Sequence, residues 1–257
     1  MAAAAFDPLA DGYDQQFVAS PVGGRMRRAV WARCAECFAP GERILEMNCG
    51  TGEDALWLAQ AGMSVVATDI SPAMLEVAER KAAARGLHGR IKYQQLAWEE
   101  LDGLPDANFD GVLSNFGGLN CIADLSGAAK ALARQVRPGG RVLLCIMGPC
   151  VPWEWAWYLG HGQPRKAFRR LRPAGSTWRG ITIRYPSIAK VRHAFAPAFR
   201  TLRTGAIGAL LPPPYADGFF ARREGILERL DRLERRFESL WPLPQLADHY
   251  LLEMVRA

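Results

Sequence analysis

Two carboxylates and two glycines between residues 46 and 69 are spaced so that they could hold a ribose-bearing ligand. Glu46 lies in an apolar run, Gly50 and Gly52 follow it in a short turn, and Asp69 ends the next apolar run about 20 residues beyond Gly50. Glycines let a backbone approach a ligand closely, and a carboxylate at a strand end can accept hydrogen bonds from both ribose hydroxyls. The chemistry that this spacing predicts is nucleoside binding.

A dinucleotide site is the obvious alternative, and these residues fit it poorly. The fingerprint G-x-G-x-x-G, with its central glycine aligned to Gly50, places Asn48 and Glu53 at the two outer glycine positions. A pyrophosphate binds where the start of a helix offers positive potential, and Glu53 would put a negative charge there. Hydride transfer with a nicotinamide cofactor is therefore disfavoured, and a ligand with ribose but no phosphate is favoured.

The segments that must position this turn alternate between strand-like and helix-like patterns. Strands are predicted at 43–49, 64–70, 91–97, 109–117 and 140–148, with helices at 54–61, 72–86 and 123–136. This alternation predicts a parallel sheet with helices on both faces and ligands beyond the carboxyl ends of the strands. A sixth strand is predicted at 199–208 and a final one at 248–256. Between them, a helix at 225–240 has an apolar face formed by Ile226, Leu227, Leu230, Leu233, Phe237 and Leu240.

In five places, and in the same order, the chain resembles the class I S-adenosylmethionine-dependent methyltransferases. The matching segments are 45–52, 67–74, 94–101, 109–115 and 137–140, and the resemblance covers residues 25–147 and the last strand. It implies an α/β fold with a Rossmann-like seven-stranded sheet whose last strand is antiparallel. It also implies S-adenosylmethionine as the cofactor and S-adenosylhomocysteine as its product.

The resemblance implies a role for each residue near the turn. Glu46 would face the methionine ammonium, Asp69 would hold the ribose, and Asn115 with Phe116 would meet the methionine end. Around adenine, Ile70 and Met74 would flank the ring while Ala97 and Trp98 close on it. Tyr13 and Phe17 belong to an N-terminal segment that would cover the cofactor. The cofactor-binding residues predicted are Tyr13, Glu46, Asn48, Gly50, Thr51, Gly52, Asp69, Ile70, Met74, Ala97, Trp98, Asn115 and Phe116.

Two positions depart from the family's pattern. Leu96 stands where the family often has an acid that reads the adenine amino group, so adenine contacts would depend on the backbone and Trp98. Asn48 replaces the first glycine of the turn, and asparagine enters left-handed backbone conformations at small cost. We expect the turn to survive, with the Asn48 amide near the methionine moiety. Asp54 is interpreted as the N-cap of the following helix.

Charge is unevenly distributed along the 257 residues, whose formal net charge is +6. Residues 155–216 contain eleven Lys or Arg and no Asp or Glu. This segment is interpreted as a solvated surface, a site for an anionic small substrate, or a face for nucleic acid or a membrane surface. We predict one domain, 1–257, in which 1–42 form a helical segment over the cofactor and 43–148 the cofactor-binding core. A basic, Trp-rich cap at 149–198 and C-terminal elements at 199–257 complete it.

The acceptor residues should follow the last strands of the sheet. Trp153 and Trp157 come after the fifth strand, where they could pack as a lid or stack on an aromatic acceptor. Because the last strand is antiparallel, its first residues reach the active edge, which makes Tyr250 a candidate substrate contact. His249 is the first candidate for a general base, since imidazole titrates near working pH, and His161 is the second.

The function predicted is methyl transfer to an oxygen or nitrogen of a small molecule, with an anionic or aromatic acceptor. Ser114-Asn115-Phe116-Gly117-Gly118 lacks the two prolines typical of enzymes that methylate exocyclic amines of nucleic acid bases, so nucleic acid is disfavoured. The alternatives are an RNA methyltransferase that uses the basic 155–216 face and a non-catalytic S-adenosylmethionine-binding protein. We expect a cytoplasmic monomer or homodimer without a membrane span or a metal, and with its six cysteines reduced.

Overall fold

The computed structural model describes residues 3–15, 19–105, 108–220 and 223–257. Its strands are β1 (Arg43–Met47), β2 (Ser64–Asp69), β3 (Ile91–Gln95), β4 (Phe109–Ser114), β5 (Val136–Met147), β6 (Ser176–Trp178), β7 (Ile181–Ile183), β8 (Phe199–Ile207) and β9 (His249–Arg256). Its helices are α1 (Ala3–Phe6), α2 (Ala10–Tyr13), α3 (Pro21–Cys37), α4 (Glu53–Gln60), α5 (Pro72–Ala84), α6 (Leu125–Gln135), α7 (Pro152–Gly160), α8 (Pro164–Ala167), α9 (Ile188–Phe195), α10 (Asp217–Phe220) and α11 (Glu224–Phe237).

Seven strands form the central sheet in the order β3-β2-β1-β4-β5-β9-β8. Strands β1 to β5 pair in parallel, and β9 runs antiparallel to both β5 and β8. The prediction of a seven-stranded α/β sheet with an antiparallel last strand is confirmed. Because β1 lies between β2 and β4, the loops after these three strands meet at one edge of the sheet, where the site is built.

Apolar side chains cover both faces of the sheet. One core cluster joins β1, β4 and β5 to α6 and α9, and the other joins the opposite face to α3, α4 and α5. Helix α5 begins where Ser71 accepts a hydrogen bond from the backbone N–H of Met74 and Pro72 occupies the first turn. The loop between β2 and α5 is therefore held in place beside the glycine turn.

The segment after β5 differs from the predicted cap at 149–198. Helices α7 and α8 and the two-stranded β6–β7 hairpin lie outside the main sheet. Helix α9, however, buries Ile188, Val191 and Phe195 in the core against the sheet. The helical spacing of the apolar residues in α9 favours this packing. The cap, as the part outside the main sheet, therefore ends before residue 188. No described helix is both long enough and apolar enough to cross a membrane.

Candidate cofactor and acceptor site

The turn between β1 and α4 has the left-handed backbone that the sequence predicts. The φ angles of Asn48, Gly50 and Gly52 are 54°, 54° and 79°. Asp69 fixes the turn, because one oxygen of its carboxylate accepts from the N–H of Gly50 at 2.8 Å and the other from the N–H of Ser71 at 2.9 Å. Burial raises the pKa of Asp69, and these two N–H donors act against the rise. The carboxylate keeps at least one lone pair for a further donor.

The Asn48 side chain has a structural role that the sequence did not reveal. Its Nδ2 donates to the carbonyl of Asn115 at 2.8 Å, and its Oδ1 accepts from the Ser114 hydroxyl at 2.7 Å. Both ends of the amide thus bind the end of β4 and the residue after it, and a contact between this amide and the methionine moiety stays a prediction. A Cβ built at Gly118 would lie 1.9 Å from Asn48 Oδ1, so the glycine at 118 makes room for the amide.

We expect Gly118→Ala to destabilise the fold by about 1–3 kcal/mol, because the methyl group would displace a hydrogen-bonded side chain. Asn48→Gly in the same chain should recover most of this loss. Thermal unfolding of the wild type, both single variants and the double variant forms a cycle that measures the coupling. An equal cost of Gly118→Ala in both backgrounds would show that Asn48 is not the reason for the glycine. Unchanged S-adenosylhomocysteine affinity in Asn48→Gly would support a purely structural amide.

Glu46, two residues before Asn48, carries a buried carboxylate. It is 1% exposed, and its Oε2 has no hydrogen-bond partner among the described residues. Burial raises the pKa of Glu46 well above its usual range, the carboxylates of Asp54 and Asp69 raise it further, and Arg27 opposes them. A buried oxygen without a donor is costly to a fold. The ammonium group of a methionine moiety would supply that donor, so the residues present fit S-adenosylmethionine.

A polar cluster around Asp54 lies beside the turn, and the sequence motifs do not predict it. The Asp54 carboxylate accepts from Arg27 Nη1 and Trp31 Nε1, both at 2.6 Å, and from Asn115 Nδ2 at 3.0 Å. The interpretation of Asp54 as an N-cap is wrong, because α4 begins at Glu53 and Asp54 is buried among these donors. The Arg27 guanidinium also lies 5.0 Å from the centre of the Phe116 ring.

These groups enclose one small cleft at the edge of the sheet. Six residues of the predicted set line it, namely Tyr13, Asn48, Gly50, Thr51, Asn115 and Phe116. Cys49, Glu53, Asp54 and Arg27 complete the lining. No local sequence signal points to Arg27, since it lies in α3, outside every matching motif, and reaches the cleft only through the packing of that helix on the sheet.

The N-terminal segment covers the turn. Asp14 accepts from the Thr51 hydroxyl and from Lys81 Nζ, both at 2.6 Å, and Asp7 accepts from the Ser71 hydroxyl. Tyr13 reaches the cleft between these contacts. Tyr13 thus lies at the cleft, and its covering of a bound cofactor stays a prediction. Phe17, the other aromatic residue predicted there, lies outside the described residues.

The adenine side is less open. Met74 is 2% and Trp98 is 6% exposed, and Ile70 and Ala97 are partly buried. Trp98 packs in the core cluster beneath the sheet, and its indole Nε1 has no partner among the described residues. Adenine contacts by these four residues stay a prediction, and Trp98 has a structural role in addition.

At the start of β9, a chain of charged groups leads to His249. Arg170 Nη2 lies 2.7 Å from Glu154 Oε2 and 2.6 Å from Asp248 Oδ1. Asp248 Oδ2 lies 2.8 Å from His249 Nδ1, although off the line of a well-aligned ring hydrogen bond. Burial acts to raise the pKa of Asp248, but the charges of Arg170 and His249 outweigh it and hold that pKa well below its usual range. The carboxylate beside His249 is therefore ionised.

His249 stands next to the cleft. Its ring meets the ring of Phe116 edge-on, with centroids 5.2 Å apart. The second candidate base, His161, is exposed at the end of α7, where its Nδ1 lies 2.7 Å from the Trp157 carbonyl. That contact gives His161 a role in closing the helix rather than in the site. The structure thus favours His249 over His161.

Tyr250 does not reach the site, which corrects its prediction as a substrate contact. Neighbouring side chains of a strand point to opposite faces, so Tyr250 turns into the core where His249 turns to the edge. Tyr250 is fully buried, and its hydroxyl donates to the Pro186 carbonyl at 2.9 Å. Arg170, the partner of Asp248, was not predicted from the sequence. Its neighbours along the chain do not distinguish it from the other arginines of the basic segment.

The tryptophans after β5 form an aromatic layer. Trp153 packs edge-on against Phe220 and donates to the Leu210 carbonyl at 3.1 Å. Trp157 and Tyr158 both pack against Tyr215, with ring centroids 5.8 and 5.3 Å from it. The structure places the buried Glu154–Arg170 pair beside the aromatic layer.

Part of the basic segment is neutralised from outside it. Arg169 and Arg170 pair with Glu154, and Arg203 pairs with Glu238.

All six cysteines are free thiols. Among the residues that the structure describes, no three His, Cys, Asp or Glu side chains are grouped as a metal site.

Comparisons with known proteins agree with this geometry. A family profile described as a methyltransferase domain matches residues 44–140. Demethylmenaquinone methyltransferase of Thermus thermophilus is 37% identical over 177 residues, which are 65% of this chain and 73% of that protein. The enzyme of the same name from Clavibacter sepedonicus is 34% identical over 150 residues, 58% of this chain and 59% of that protein. The chain thus spans less than two thirds of the length of this second relative.

Solved structures show the same fold. An S-adenosylmethionine-dependent methyltransferase from Mesorhizobium loti has a TM-score of 0.57 to this chain at 19% identity, over 89% of this chain and 98% of that one. At this identity the similarity concerns the architecture. It agrees with the seven-stranded sheet of this chain.

Proposed function

We propose, since the chain belongs to the class I S-adenosylmethionine-dependent methyltransferases, that it methylates a hydroxylated aromatic small molecule. The observation that carries the proposal is the position of His249, one ring contact from the cleft and backed by the ionised Asp248. A base at this place is needed only for an acceptor that carries a proton near neutral pH, such as a phenolic hydroxyl.

The residues of the cleft, together with Glu46 and Asp69 beside the glycine turn, would hold the cofactor. When bound, S-adenosylmethionine supplies an electrophilic methyl group, and its sulfur keeps the bonding electron pair. Glu46 would bind the ammonium, and Asp69 would accept from the ribose hydroxyls. Arg27 lies in the cleft and would attract the carboxylate of the methionine moiety. Tyr13 and the N-terminal segment above the turn would exclude water.

His249 would take the hydroxyl proton on Nε2 while Asp248 stabilises the resulting imidazolium. The acceptor oxygen then attacks the methyl carbon. Phe116 and the aromatic layer would orient the acceptor ring. We keep oxygen or nitrogen as the acceptor atom. A ring carbon next to the hydroxyl is a second candidate, because one relative is named a ubiquinone/menaquinone biosynthesis C-methyltransferase.

An acceptor screen tests the proposal. The purified protein is given S-adenosylmethionine with phenols, naphthohydroquinones, aromatic amines or RNA, and release of S-adenosylhomocysteine is followed. Mass spectrometry and NMR of the product then identify the methylated atom. Turnover of a hydroxylated aromatic supports the proposal. Turnover of RNA alone, or tight S-adenosylhomocysteine binding without turnover of any small acceptor, would refute it.

A further inference from the structure

Exposed apolar side chains run along one side of α11 and into the turn that follows it. Ile226, Leu233 and Phe237 are exposed, Leu240 is 57% exposed and Trp241 is 81% exposed. The sequence predicts an amphipathic helix here, and the apolar side of such a helix ordinarily packs on the core. Of this predicted face only Leu227 is fully buried, which corrects the prediction. We call the five exposed residues the α11 stripe.

Glu234 explains why the helix turns its stripe outward. It is 3% exposed, and its two carboxylate oxygens accept from the N–H groups of Gly208 and Leu210, each at 2.7 Å. A rotation that buried Leu233 would pull Glu234 from these donors and leave backbone groups unsatisfied. The orientation is therefore fixed by hydrogen bonds on the inner side, and the stripe is a built surface of the protein.

Arginines border the stripe. On a helix of 3.6 residues per turn, Arg229 and Arg236 lie one heptad apart along the side of the stripe that faces away from the body of the protein. Both are exposed, and neither pairs with a carboxylate in the described part of the chain. Glu224 and Glu228 lie on the far side of the helix. An apolar surface with a basic border and a terminal tryptophan has the composition of a helix that rests in a membrane interface.

We propose that the α11 stripe docks this protein onto an anionic lipid surface. The α11 stripe, including Trp241, would enter the boundary between headgroups and acyl chains. The arginine border would meet lipid phosphates, and Glu224 and Glu228 would face water. A second copy of this chain fits less well. Two α11 helices packed antiparallel about a twofold axis would bring their arginine borders against each other.

The inference stands apart from the identity of the methyl acceptor, because it uses no residue of the cleft. Its test is sedimentation of the whole protein with vesicles. One set contains phosphatidylcholine alone, and the other contains phosphatidylcholine with phosphatidylglycerol, each at low and high salt. The wild type is expected to sediment with the anionic vesicles only, and less at high salt.

Two groups of variants isolate the contributions of the surface. Leu233→Ser with Phe237→Ser and Trp241→Ser should weaken binding to anionic vesicles by about tenfold or more, as should Arg229→Gln with Arg236→Gln. The matched control is Lys130→Gln with Arg90→Gln, which removes the same charge from exposed positions off α11 and should bind as the wild type does. Because every changed residue is exposed, S-adenosylhomocysteine binding and the melting temperature should be unchanged, which confirms that the variants fold.

Three outcomes would overturn the inference. The wild type could stay in the supernatant with both vesicle types, or the α11 variants could bind as tightly as the control. Light scattering could instead show a homodimer in solution that the Leu233, Phe237 and Trp241 changes dissociate. That last result would identify a second copy of this chain as the occupant of the α11 stripe.

Discussion

Glu46→Gln is expected to weaken S-adenosylhomocysteine binding about 100-fold, because it removes the buried charge that would face the ligand's ammonium. Truncating one partner of a desolvated ion pair costs about 2–5 kcal/mol, and 1.4 kcal/mol is a factor of about ten. Glutamine keeps the size and the carbonyl oxygen, so the loss reports charge. Titration calorimetry at one pH and salt concentration measures it.

The same substitution should stabilise the ligand-free protein. Burial raises the pKa of Glu46 in the folded state above its unfolded value, so the folded state binds the proton more tightly. The stability of the wild type therefore falls as pH rises from the unfolded pKa toward the folded one, while Glu46→Gln lacks this loss. Between about pH 5 and about pH 8, the melting temperature of Glu46→Gln minus that of the wild type should increase as the pH rises.

Glu36→Gln is the matched control, since the Glu36 carboxylate is exposed on α3 and lies away from the cleft. It should leave the affinity and the pH dependence of melting as they are in the wild type. Equal affinities of Glu46→Gln and the wild type would rule out Glu46 as the ammonium ligand. A variant that binds weakly and also melts lower at every pH would indicate a general packing defect instead.

His249→Gln is expected to lower turnover of a phenolic acceptor about 10²–10⁴-fold, the usual contribution of a general base. The affinity for S-adenosylhomocysteine should stay close to that of the wild type, because Glu46, Asp69 and the glycine turn are untouched. Asp248→Asn should lower turnover by a smaller factor, since it removes the charge that stabilises the imidazolium but leaves the ring. Initial rates at saturating cofactor and calorimetry on the same preparations measure both effects.

His161→Ala serves as the comparison, because this exposed residue contacts the carbonyl and the ring of Trp157 in its own helix and lies outside the cleft. Its turnover should match the wild type. If His249→Gln retains full turnover with an acceptor that must lose a proton, another group is the base. A fall in turnover accompanied by an equal fall in cofactor affinity would mean that His249 supports the cleft structurally.

Local chemistry made the turn predictable. Asn48 adopts φ near 54°, as expected of one of the few side chains that tolerate this region, and Asp69 closes β2 beside Gly50. The partners of Asp54 were not predictable in the same way. Arg27 and Trp31 reach it from α3, across the packing of a helix on a sheet, and neither residue carries a local sign of that meeting.

The outward rotation of α11 is a second case in which the sequence pattern was insufficient. The apolar period identifies the helix and its stripe, but the side that faces inward is decided by Glu234 and the amides of Gly208 and Leu210. Hydrophobic spacing therefore predicted the element and missed its orientation. The same holds for His249 and Tyr250, whose opposite faces depend on the register of β9 against β5.

The contact between Asn48 and Gly118 also has a consequence for the divergence of related chains. The family's motif has a glycine at the first position of the turn, where this protein has Asn48. This protein needs a glycine instead at position 118, in the neighbouring loop after β4. The two positions form a single constraint with two solutions. A relative with glycine at the position of Asn48 is free to carry a larger residue at the position of Gly118, and a relative with asparagine there is not. Substitutions at the two positions should therefore be correlated among related chains, and the glycine at 118 should arise before the asparagine at 48.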